Sequence, residues 1–338
     1  MEYRSLGRTG MKVTPLCLGC MMFGGKTSPE DSYAIIDRAI DAGINFLDTA
    51  NVYSRGRSEE VTGEALKRNG KRNSIVLATK VHGAMDDNDP NMAGNTRRNI
   101  IQQCDASLKR LQTDWIDLYQ IHRPQSSVPI DETLRALDDL IRAGKVRYIG
   151  TSTFAAWQVL ESIWVSKELN LNRFVCEQPP YHLLDRRIER ELLPLAQSYG
   201  IGIIPWSPLA GGLLTGKYKR DMPLPEGARF VDYKSNPILA KRWNDRAFDM
   251  IEGFEALVNQ RGGGASFSQF AIAWCMAQPG VTSPIIGPRT LEQLEDNLKA
   301  LDVKITDDDN KKVDEVLPRG HMVSPYYEAD FGPQLTRW

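Results

Sequence analysis

The chain has 338 residues, with 42 Lys and Arg against 43 Asp and Glu, and no stretch in which basic residues interleave with aromatics. That balance argues against nucleic acid or an acidic membrane surface as a partner. The N-terminus, Met1 to Gly7, has no basic region followed by an apolar one, and no apolar run approaches the ~18 residues of a membrane span, so a cytoplasmic protein with no membrane partner is expected.

The first elements are Tyr3 to Leu6 and Lys12 to Thr14, flanking a Gly7-Arg8-Thr9-Gly10 turn, which reads as a short β-hairpin. Eight apolar runs follow: Pro15 to Cys20, Ile44 to Leu47, Ile75 to Thr79, Trp115 to Ile121, Val146 to Gly150, Phe174 to Glu177, Ile201 to Pro205 and Ser283 to Ile286. Helical segments lie between them. Ser28-Pro29-Glu30-Asp31 starts one and Gly43 stops it; Ser58-Glu59-Glu60 opens the next, ending near Gly70. Asn95-Thr96 opens a third, through Ile100, Cys104 and Leu108 to about Leu111, and Asp131 to Ala143 is a fourth, before Gly144.

Several runs are near-continuous rather than alternating, as parallel strands covered on both faces are. Eight βα units favour a closed (β/α)8 TIM barrel over an open doubly wound sheet, and no GxGxxG follows the first strand. The expectation is α/β, a single barrel domain over residues 1–338 with the hairpin capping its bottom. His82 to Asn95 and Lys217 to Ala247 are long enough to be functional loops at the C-terminal face. The tail from Pro318 to Trp338, with Tyr326, Tyr327, Phe331 and Trp338, either lies over the same mouth or packs outside.

Cys17, Cys20, Cys104, Cys176 and Cys275 are odd in number and scattered, which suits reduced thiols. Cys17-Leu18-Gly19-Cys20 has CxxC spacing, but it falls within a strand-like run, so a core role is read there and no metal is expected.

Asp48, Lys80 and His122 fall at or just past the ends of three of these runs, and Tyr53 lies in the loop after the first of them. A barrel gathers such positions around one mouth. A phenol titrates near ~10 and becomes a useful acid only beside a cation that stabilises the phenolate. Lys80 is that cation, Asp48 its counter-charge, and a neutral His122 can hold a carbonyl oxygen. The group can protonate an oxyanion as a hydride reaches carbon.

The local contexts are recognisable as well. Asn45-Phe46-Leu47-Asp48-Thr49-Ala50 with Tyr53 and Ser58-Glu59, Ala78-Thr79-Lys80, and Asp117-Leu118-Tyr119-Gln120-Ile121-His122 resemble the signatures of the aldo-keto reductases. So do Gly144 to Ser152 and Trp206-Ser207-Pro208-Leu209, and the match runs in order from Leu6 to Asn297. The resemblance implies a TIM barrel that binds NADPH in an extended pose and reduces a small aldehyde or ketone. It makes Tyr53 the proton donor, Lys80 and Asp48 its tuners, and His122 the group that positions the carbonyl.

It also implies a cofactor path. Gly19, Cys20 and Met21 start it, and Ser152 and Gln178 sit beside the nicotinamide, with Thr153 where the family usually has Asn. Trp206, Ser207, Pro208, Leu209, Gly211 and Gly212 give close backbone approach to the pyrophosphate, Lys217 supplies charge, and Arg229 resembles a residue folded over the phosphates. Gly287, Arg289, Gln293 and Asn297 suit the adenosine end, where an arginine favours NADP over NAD. Phe23, His82 and Arg123 are candidates for the substrate wall, where Arg123 either meets anionic or polar substrates or only makes a salt bridge on the rim.

Two other functions compete. The potassium-channel β-subunits keep a similar barrel while serving as binding partners, so a catalytically slow nucleotide-sensing subunit is the alternative. A Schiff-base aldolase would use Lys80 as nucleophile, which requires a neutral amine that Asp48 opposes. Oligomeric state has no signature in the sequence.

Overall fold

The computed structural model describes residues 1–220, 222–224, 228, 230–231 and 236–327. Its strands are β1 (Arg4–Ser5), β2 (Lys12–Val13), β3 (Cys17–Gly19), β4 (Phe46–Asp48), β5 (Val76–Val81), β6 (Ile116–Ile121), β7 (Val146–Ser152), β8 (Cys176–Gln178), β9 (Gly202–Ile203) and β10 (Ile285–Ile286). The last eight form one parallel sheet in the order β10-β3-β4-β5-β6-β7-β8-β9. Parallel bridges at Ile203–Val281 and Trp206–Ile285 close the seam between β9 and β10. The sheet is a (β/α)8 barrel, as expected.

The apolar runs look continuous because both faces of each strand are covered. Phe46, Ala78, Leu118, Cys176 and Ile204 fill the barrel interior, and the alternate residues Leu47, Leu77, Tyr119, Ile149 and Ile203 join the larger core under the helices. β1 and β2 pair antiparallel and close the bottom, where Leu6 and Val13 add to the interior cluster. Gly7 turns there at φ +56°, and a Cβ on it would stand 2.5 Å from Val175 O, so only glycine lets the turn press against the barrel.

The helices are α1 (Pro29–Asp41), α2 (Arg57–Asn69), α3 (Arg97–Leu111), α4 (Ile130–Arg142), α5 (Ala156–Glu168), α6 (Leu192–Tyr199), α7 (Pro237–Ala240), α8 (Asp245–Arg261), α9 (Phe267–Ala277), α10 (Leu291–Leu298) and α11 (Asp307–Val316). Ser28 and Thr96 cap α1 and α3 by accepting from Asp31 N and Asn99 N. Ser58, read as opening the second helix, does something else. The helix begins one residue earlier behind Gly56 at φ 96°, and the Ser58 hydroxyl donates to Cys20 O at 2.7 Å instead.

Strand ends also differ from expectation. β4 and β5 run through Asp48 and Lys80, so both residues are strand members rather than the first loop residues. The tail lies on the mouth side as far as it is described: Val323 N donates to Leu184 O, and the Tyr326 ring packs on His182 and Trp206. Phe331 and Trp338 lie outside the described residues. No helix among the described residues is long and apolar enough to cross a membrane.

Candidate active site

Side chains alternate along a strand, so a residue two positions beyond an inward apolar one also points inward, one layer nearer the mouth. Asp48 follows Phe46 in this way, Lys80 follows Ala78, Gln120 follows Leu118 and Gln178 follows Cys176. These four meet. Lys80 donates to Asp48, and Gln120 Nε2 and Gln178 Nε2 each donate to Asp48 Oδ2 at 3.0 Å. Lys80 also donates to Thr49 O at 2.8 Å and to the hydroxyl of Tyr53 at 3.4 Å.

Both members of the ion pair are buried. Burial lowers the Lys80 pKa, but Asp48 and then Tyr53 outweigh it and leave it raised. His122 is the residue just past β6, and its ring meets that of Tyr53 edge-on, centroids 5.5 Å apart. Burial, reinforced by Arg123 and Lys80, holds His122 well below its usual range, so the imidazole is neutral at neutral pH. The turn that carries Tyr53 continues through Ser54 at φ 48° and Arg55 at φ 52°, two left-handed non-glycine residues in succession. Arg55 Nη2 then pairs with Asp87 at 2.6 Å, tying the turn to the loop after β5.

A cavity of ≈ 940 Å³ opens on this group. Asp48, Tyr53, His122 and Gln178 line it at one end, with Gly19 and Met21 beside them. Trp206, Ser207, Pro208 and Leu209 lead away, followed by Gly211, Gly212 and Lys217. Ser207, Gly211 and Gly212 all have positive φ, and a Cβ on Gly212 would crowd Lys217 Nζ at 3.2 Å. Gly287, Arg289, Gln293 and Asn297 line the far end, where Thr290 caps α10 and Gln293 Oε1 accepts from Arg289 N at 2.8 Å.

The other sequence candidates sit elsewhere. Ser152 is wholly buried, and its hydroxyl donates to Gln178 O at 2.9 Å. Cys20 and Phe23 lie in the core behind the cavity, and burial pushes the Cys20 thiol up to about 12. Cys17 is raised for the same reason, so the CxxC pair holds no thiolate. His82 faces Asn95, Nδ1 to Oδ1 2.9 Å, rather than the cavity. Arg229 lies outside the described residues. Thr153 stands at φ 62°, a costly place for a β-branched residue that Asn would occupy more easily. Of the cavity residues that sequence reasoning missed, Arg242 comes from the long insertion after β9, and Lys26 from the loop before α1.

The model of the aldo/keto reductase family matches residues 15–318, nearly the whole barrel. The chain belongs to this family. Among curated aldo/keto reductase relatives, an uncharacterized oxidoreductase, YrpG, of Bacillus subtilis is 39% identical over 326 residues, 94% of this chain and 96% of that protein. A probable voltage-gated potassium channel subunit beta of Oryza sativa is 37% identical, covering 90% of this chain and 92% of its own length. A putative channel subunit beta of Schizosaccharomyces pombe is 38% identical over 94% and 93%. The chain is therefore an aldo/keto reductase similar to both an oxidoreductase and channel β-subunits.

Proposed function

We propose that this protein is an NADPH-dependent reductase of aldehydes and ketones, with Tyr53 as the proton donor. One observation carries the reading: a single cavity joins the Tyr53–Lys80–Asp48 group to the cationic, glycine-rich wall that ends at Arg289 and Asn297. The residues fit an extended dinucleotide. Trp206 offers a ring face, Gly211 and Gly212 allow close backbone approach, and Lys217 and Arg289 supply positive charge.

Bound there, the nicotinamide supplies a hydride to the carbonyl carbon. Everything else falls to the chain. Neutral His122 donates an N–H to the carbonyl oxygen and holds it beside the phenol. Tyr53 passes its proton to that oxygen, giving the alcohol, and the Lys80 ammonium stabilises the phenolate that remains. Asp48 keeps Lys80 charged.

The test is Tyr53→Phe. Reduction of 4-nitrobenzaldehyde should fall by about 10² to 10⁴-fold, the usual worth of a positioned acid, while NADPH titration shows binding retained. Full activity in this variant would end the proposal.

The channel-subunit relatives support a second reading, a nucleotide-binding subunit that turns over slowly. Uniformly slow rates with aliphatic, aromatic and keto-acid carbonyls, together with co-purification of a membrane partner, would favour it. An aldolase is disfavoured by the raised Lys80 pKa, and borohydride would trap no adduct on Lys80.

A further inference from the structure

The layer of the barrel nearest the mouth is completed by a residue that never reaches the cavity. Barrel interiors are layered from alternate strands, and here β4, β6 and β8 send Asp48, Gln120 and Gln178 to one meeting point. Both amides donate to Asp48 Oδ2 at 3.0 Å, and Gln178 Nε2 also donates to Gln120 Oε1 at 3.2 Å, so the three side chains form a ring. Asp48 and Gln178 line the cavity, whereas Gln120 is no part of its wall and is wholly buried.

The neighbouring strands leave room for Gln120. It stands in register with Lys80 on β5 and Gly150 on β7. A Cβ on Gly150 would stand 2.5 Å from Cys176 Sγ and 3.3 Å from Gln120 Cγ, so the bare backbone of β7 lets the glutamine extend into the barrel.

The ring admits one arrangement of its amides. A carboxylate accepts and never donates, so both glutamines turn nitrogen toward Asp48. Gln120 is then left with its oxygen for Gln178, and Gln178 uses both of its N–H groups inside the ring. What Gln178 keeps for a ligand is its carbonyl oxygen, an acceptor in the wall shared with Tyr53 and His122. A primary amide on the ligand supplies the matching N–H, and a nicotinamide ring carries one. Without the Gln120 oxygen, a single bond to Asp48 restrains the Gln178 amide, and its second N–H is released to turn toward the cavity.

We propose that Gln120 is a positioning residue for hydride transfer: by holding the Gln178 amide in one orientation, it fixes which face of the nicotinamide meets the carbonyl. The inference rests on the reductase reading and adds to it a residue that touches neither substrate nor cofactor.

Gln120→Met keeps the length of the side chain and removes its amide. On protein counted by NADPH titration, kcat for 4-nitrobenzaldehyde should fall about 10- to 100-fold, the effect of a misplaced reacting group, with KM for aldehyde and NADPH within about threefold of native. Two further readouts report the ring itself. With NADPH deuterated at one of its two C4 positions, the native enzyme should deliver either all of the label or none of it to the alcohol, and the variant a mixture. Transferred nuclear Overhauser effects on NADP+, which need no turnover, should show one orientation of the nicotinamide about its glycosidic bond with the native protein and both with the variant.

A purely structural role lowers the melting temperature and leaves transfer on one face. Single-face transfer by the folded variant, whatever its kcat, or mixed transfer already in the native enzyme, would therefore overturn the proposal while the reductase reading stands. If Gln120→Met does not fold, Gln120→Leu removes the same amide with a shorter chain; failure of both to fold would make Gln120 a residue of the fold alone and end the proposal. No reduction of the aldehyde by the native protein would remove the reductase reading and this proposal with it.

Discussion

Lys80 Nζ donates to the hydroxyl of Tyr53 at 3.4 Å while its side chain is wholly out of solvent. An ammonium has three N–H groups, and Asp48, Thr49 O and Tyr53 take all three. Its orientation is therefore fixed by the fold. Since the Tyr53 oxygen accepts from Lys80, the phenol's own O–H is left to be donated into the cavity, which is what a proton donor requires.

Lys80→Met tests that arrangement. It leaves the Asp48 carboxylate buried with only amide donors, Gln120 and Gln178. Breaking a buried pair on one side costs about 3–5 kcal/mol, so urea unfolding should show a loss of that order along with loss of reductase activity. The pH dependence has a definite sign. Lys80 is raised above its ordinary 10.5, so the pair's contribution is fully present below that value and is lost as the pH climbs through the higher folded pKa. The stability gap between native protein and variant should thus stay level from about pH 6 to 9 and shrink only in stronger alkali.

Arg289→Ala addresses the cofactor. Arg289 lines the far end of the cavity beside Gln293 and Asn297. If its guanidinium meets a 2′-phosphate, KM for NADPH should rise about 10- to 100-fold with KM for NADH little changed, since a charge-assisted hydrogen bond is lost in one case only. Equal effects on the two nucleotides would remove Arg289 from that role.

The sequence reveals this much because strand periodicity carries it. Asp48 and Lys80 sit two residues past Phe46 and Ala78, and that spacing alone turns them inward at the mouth. Gln120 obeys the same rule after Leu118, so its bond to Asp48 was open to the same argument, although its amide carries no charge to draw attention. Arg242 was not legible. It reaches the cavity only because a long insertion folds back and docks on Pro325 and Tyr326, contacts more than eighty residues away in the chain. Phe23 and His82 show the converse: each lies near a strand end, but Phe23 turns into the core and His82 is held by Asn95.

Glu177 gives a prediction about stability rather than turnover. It is outward-facing on β8, wholly buried, and its Oε1 accepts from Phe154 N at 3.0 Å, just past the strained Thr153. Burial pushes its carboxyl from 4.5 up to about 8, against the opposing pull of the surrounding hydrogen bonds and Arg123. Between those values the folded protein holds a proton that the unfolded chain releases, so the contribution present below pH 4.5 is lost as the pH rises to about 8. Glu177→Gln keeps an acceptor for Phe154 N and has no charge to bury. Denaturation curves at about pH 5 and 8 should show the variant close to native in acid and more stable in mild alkali, by on the order of a few kcal/mol. Parallel pH dependence in the two proteins would mean that Glu177 is ionised in the folded state at neutral pH, held so by Thr151, Thr153 and Arg123.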